Sequence, residues 1–212
     1  SLVVKGENKE QFWDEEAKAL LMGLILYVAI DPSEEGKRNL GRVRDLILQD
    51  ARGMEALFHR MLKSDNALVS GTGARCLQKE ERLLGNVLAA VQSHTHFLDS
   101  PRIRESLSAS DFRFEDLKTQ KISVYLVLPA DRLDTFGRWL RLLVQQAITV
   151  NARNITLKPE HPILFMLDEM AALGKLTMVE QAYGLMAGFG MQLWGIVQDL
   201  SLIHISEPTR PY

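Results

Sequence analysis

Residues 162–174 read PILFMLDEMAALG, and this stretch decides the fold. Five consecutive apolar residues, Ile163 to Leu167, lie between Pro162 and two acids, Asp168 and Glu169. An apolar run of that length predicts a strand buried on both faces, the kind that parallel sheets use. Its carboxylates then stand at the carboxyl edge of the sheet, where open α/β folds bind ligands. An Asp at that edge can hold magnesium through water and offset phosphate charge, and the Glu beside it can orient or activate an attacking water. Taken alone, the pair is explained more simply as solvated acids opening the next helix.

Its neighbours change that balance. MQLWGIVQ (191–198) is a second apolar run, ending in Gln198, at the distance a βαβ unit requires. A right-handed crossover would bring Gln198 to the same sheet edge as Asp168, where its amide could sense a γ-phosphate or position water. ISVYLVLP (122–129) is a third strand-like run. Helices are predicted from about 132 to 152 and from 178 to 186. Strands alternating with helices indicate an α/β architecture with a parallel sheet.

Upstream the period is helical almost throughout. Trp13, Ala17, Leu20, Leu21, Leu24, Tyr27 and Val28 share one face of a first helix, while Met22, Leu26 and Ala29 on the other face predict that it is covered on several sides. Asp31-Pro32-Ser33 ends it. Short helices follow around Leu40–Ile47 and Met54–Leu62. VSGTG (69–73) reads as a break before a long helix carrying Leu77, Leu84, Val87, Leu88 and Val91.

The 212 residues, 46% hydrophobic and 25% charged, suit a globular protein with a sizeable core. A net charge of -2 exerts no global pull toward nucleic acid. The one cysteine, Cys76, excludes an internal disulfide framework. ALLMGLILYVAI (19–30) is too short to span a bilayer.

Three blocks in this order carry a family resemblance: FWDEEAKALLMGLILYV (12–28), SDFRFEDLKTQKISVYLVLPADRLDTFGRWLRLLVQQAI (110–148) and LFMLDEMAALGKLTMVEQAYGLMAGFGMQLWGIVQDLS (164–201). Together they resemble the VirD4/TraG type IV coupling proteins, hexameric membrane-anchored ATPases that pass DNA–relaxase complexes or effector proteins to a type IV secretion channel. The resemblance implies that residues 1–100 are the all-α domain that helps recognise substrates, and that 101–201 are the second half of a RecA-like P-loop ATPase domain. It implies that Asp168 and Glu169 are the Walker B pair, with Asp168 holding Mg2+ and ATP, and that Gln198 is the glutamine of the following motif. Ala171, Leu173 and Gly174 match the turn after Walker B. It further implies relaxase or effector partners, secretion-channel components, DNA in the complete protein, a homo-hexamer, and the cytoplasmic face of a bacterial inner membrane.

Two departures matter. Where many relatives carry a basic residue before the glycine at 188, this chain has Ala187, which leaves a trans-acting arginine unassigned. There is also no G-x-x-x-x-G-K-S/T motif. In the family that loop precedes the helical domain, so the chain is expected to start downstream of it and to lack ATPase activity by itself. SGTGARC (70–76) has two glycines but no Lys-Ser/Thr, and reads as an ordinary glycine-rich turn.

Other candidates have plain explanations. His94 and His96 are two apart on a helix and point to different faces, a poor metal pair. Arg138 and Arg141 read as a solvated helix face, and Trp13 and Trp139 as packing residues. The tail SLIHISEPTRPY departs from the family pattern. It reads as the translation of a transposon-end sequencing adapter, so residues 202–212 are expected not to be native. Two other readings stay open: a non-hydrolysing helical adaptor that binds relaxase or effector proteins, and another RecA-like DNA translocase.

Overall fold

The computed structural model describes residues 11–168 and 186–196. They divide into two compact units between Ser110 and Asp111.

The first unit is helical: α1 (Gln11–Ile30), α2 (Leu40–Ile47), α3 (Ala51–Leu62), α4 (Ala67–Leu77), α5 (Glu81–Thr95) and α6 (Pro101–Ser106). Three helices start on side chains that accept a free backbone N–H: Asn39 for α2, Asp50 for α3 and Asn66 for α4. Each such cap stabilises its helix by about 1 kcal/mol. The core gathers Leu20, Leu24 and Tyr27 of α1 with Leu46, Leu57, Phe58, Met61, Val87 and Val91.

Two expectations are corrected here. VSGTG is not a break but the interior of α4, and the chain turns instead between Leu77 and Glu81. Gly73 serves close packing: a Cβ there would lie 2.7 Å from the Phe58 carbonyl oxygen and 2.8 Å from the Leu62 nitrogen, both backbone atoms of α3. In addition, among the described residues α1 is not covered all round: it packs on α2, α4 and α5, and Leu26 is half-buried against the same core, while Met22 stays 53% exposed and Ala29 and Ile30 are also exposed.

The second unit places α7 (Leu133–Arg153) against two parallel strands, β1 (Ile163–Leu167) and β2 (Met191–Gly195). Leu140, Val144 and Ile148, spaced four apart on α7, bury against Ile163, Leu167 and Met191. The register runs from Ile163 opposite Met191 to Leu167 opposite Gly195. Gly190, at φ +73°, turns the chain into β2; there a side chain would be strained and would meet Pro159 Cδ at 2.5 Å.

The run 122–129 departs from expectation. It alternates between half-buried Ile122, Val124, Leu126 and Leu128 and exposed Ser123, Tyr125, Val127 and Pro129, as an extended chain does. Yet it joins no ladder, so the sheet has two strands among the described residues. Leu126 and Leu128 pack against the core cluster that holds Ile163 and Leu167, and the run and β1 both border one cavity. The helix expected at 178–186 lies outside the described residues apart from Met186, which opens a 3-10 turn, Met186–Phe189.

Candidate functional site

The carboxyl edge of the parallel pair is built from the register upward. The Ile196 N–H donates to the Leu167 carbonyl at 2.9 Å, so both strands end at the same level. Asp168 follows Leu167 directly and is exposed there. Burial of Leu167 against α7 anchors the strand end, and so the carboxylate stands on a packed element rather than on a free loop. Chemically the arrangement offers an acceptor-only oxygen pair at the sheet edge, suited to a cation, a water shell or a donor. No ligand geometry follows from one carboxylate, and the two side chains expected beside it, Glu169 and Gln198, lie outside the described residues, as do Ala171, Leu173, Gly174 and the tail 202–212.

One face of the sheet carries Ile163, Leu167 and Met191 into the core. Among the described residues, the opposite face presents Leu164, Met166, Trp194 and Ile196, each 44–56% exposed, together with the polar Gln192. Ala187 is exposed in its 3-10 turn, and its carbonyl accepts the Gly190 N–H at 3.1 Å.

The remaining sequence candidates are placed as follows. SGTGARC lies within α4, where the backbone N–H groups past the first turn are taken up by the helix and cannot cradle a phosphate. His94 is buried and bonds Asp14 of α1 through Nε2 at 2.9 Å, whereas His96 is exposed. Arg138 and Arg141 are half-buried rather than fully solvated. Burial, followed by the neighbouring Arg138 charge, pulls Arg141 below the ordinary arginine value. Trp13 and Trp139 pack against the two cores. Among the described residues no three His, Cys, Asp or Glu side chains form a metal-binding group, and no helix is long and apolar enough to cross a membrane.

Two buried polar features had no sequence signal. Arg44, on an otherwise amphipathic helix, bonds Asp99, Thr95 and the Gln92 carbonyl. Lys118 is buried at 6% exposure in the second unit. Nothing in local spacing distinguishes either from a solvated cation.

The chain is 28% identical over 211 residues to Protein VirD4 of Agrobacterium fabrum, covering 95% of this chain and 30% of that protein. It is 25% identical to the conjugal transfer protein TraG of Escherichia coli, covering 95% and 34% respectively. To the type IV secretion system-coupling protein VirD4 of Bartonella quintana it is 23% identical, covering 84% and 28%. The chain thus spans about 30% of the length of the curated relatives it matches. No solved structure matches it. The family model for type IV secretory system conjugative DNA transfer matches residues 1–207, through both units and the Asp168 edge, and the chain belongs to that family of VirD4/TraG-type coupling proteins.

Proposed function

We propose that the protein to which this chain belongs is an ATPase that drives DNA–relaxase or effector substrates into a type IV secretion channel. The observation that carries the proposal is the position of Asp168, exposed at the carboxyl end of a strand paired in parallel with β2. A carboxylate so placed suits magnesium-bound nucleotide in a RecA-like domain. In this reading Asp168 holds Mg2+ and ATP, Glu169 activates water, and Gln198 senses the γ-phosphate. The helical unit, with a core of its own, recruits the relaxase or effector partner. The working assembly is a homo-hexamer on the cytoplasmic face of the inner membrane, contacting DNA and channel components.

The test uses the full-length protein. Glu169→Gln should bind ATP with near-normal affinity and lose turnover and substrate transfer, while Asp168→Asn should lose magnesium-dependent nucleotide binding as well. Unimpaired ATP hydrolysis by both variants, together with normal transfer, would overturn the assignment. If both variants transfer normally and the intact protein shows no ATPase activity, the adaptor reading replaces it.

A further inference from the structure

The second unit holds a cavity of about 740 Å³ between the extended run after Lys121, the inner face of α7 and β1. That volume lies within the roughly 300–1,000 Å³ of small-ligand sites. Its walls are largely aliphatic, with Leu117, Val124, Leu126, Leu140, Val144 and Ile163 among them. Lys118 belongs to the same lining.

Lys118 is the unusual member. Of the charged residues on this lining, Lys121, Glu160, His161 and Asp168 are exposed, whereas Lys118 is buried. Its Nζ donates to the Asn154 carbonyl at the end of α7, and no carboxylate among the described residues pairs with it. An ammonium has three donors, so this bond leaves two unassigned. Fastening the Phe114–Lys118 turn to α7 does not require a charge, because Asn151 already makes that tie: its Nδ2 donates to the Phe114 carbonyl at 3.0 Å. A buried charge without a counter-charge is costly. Burial pulls the Lys118 ammonium below its ordinary value, in keeping with that cost.

We propose that this cavity binds a small carboxylate amphiphile, with its acid group on Lys118 and its apolar body against α7 and β1. One carboxylate matches one ammonium, where a phosphate dianion would leave surplus charge to desolvate. The aliphatic walls select an apolar body, and Lys118, the buried charge on the lining, takes the acid group.

Decanoate and its methyl ester are the probes, titrated calorimetrically into the chain. Decanoate should bind saturably at one site, at least tenfold more tightly than methyl decanoate, a comparison that needs no variant. Lys118→Met should erase that preference, and Lys118→Arg should keep most of it, with circular dichroism melting used to confirm folding. Equal affinity for acid and ester, unsaturable uptake, or a folded Lys118→Met variant with undiminished preference would each overturn the proposal.

Discussion

Arg44 holds both oxygens of Asp99: its Nε donates to Oδ1 at 2.8 Å and its Nη2 to Oδ2 at 2.7 Å. Its remaining Nη1 donates to the Gln92 carbonyl and to the Thr95 hydroxyl. One guanidinium thus ties α2 to the end of α5 and to the turn that leads into α6. The planar fork suits this bidentate grip, which a lysine could not reproduce.

Removing that charge should loosen the helical unit. Arg44→Met keeps most of the volume but strands two acceptors in the interior. Breaking buried pairs costs roughly 3–5 kcal/mol, and the low end applies because Asp99 is partly exposed and can rehydrate. Urea denaturation followed by circular dichroism should show a loss of about 3 kcal/mol.

The same pair sets an acid limb. The hydrogen bond from Arg44 holds the Asp99 carboxyl below the usual carboxylate range. A carboxylate lowered in the folded state contributes stability above the unfolded value, near pH 4, and loses it as pH falls through the folded value. The stability gap between the unaltered chain and Asp99→Asn should therefore shrink on acidification below about pH 4. Melting midpoints at pH 7, 4 and 3 measure it, and a gap independent of pH would contradict the account.

Two glycines two residues apart in α4 should respond with opposite signs. Gly71 is exposed and a Cβ there meets nothing within 4 Å, so Gly71→Ala should stabilise by about 0.8–1 kcal/mol through helix propensity. A Cβ on Gly73 would lie 2.7–2.8 Å from the α3 backbone, which cannot yield as a side chain can. Gly73→Ala should cost about 1–3 kcal/mol through overpacking. Paired thermal melts of the two variants test the difference.

Cys76 should be unreactive while the chain is folded. Burial pushes its thiol up to about 11, and the residue is 2% exposed. Since the thiolate is the reactive form, iodoacetamide at pH 8 should label it slowly in buffer and rapidly in urea. A thiol raised in the folded state contributes stability below the unfolded value, near 9, and loses it as pH rises toward about 11. Relative to Cys76→Ala, the unaltered chain should lose stability across that window.

Much of the helical unit was legible in one dimension. The α1 face of Ala17, Leu20, Leu24 and Tyr27 depends on neighbours three or four residues away. VSGTG misled because glycine marks a turn by local preference, while here it admits a neighbouring helix backbone at Gly73, a contact made with residues 58 and 62. Met22 misled because an apolar residue states only that it can be buried, not that a partner stands opposite.

The sequence by itself determined the helical periods, the two strands that pair and the placing of Asp168 at a strand end. Each follows from local spacing and from the end of an apolar run. The tertiary structure alone decided that 122–129 stays out of the ladder, that Arg44 spans 55 residues to Asp99, and that Lys118 lies buried beside a cavity. Strand pairing, ion pairing and burial of a cation depend on which distant segment arrives alongside, and no local pattern carries that information.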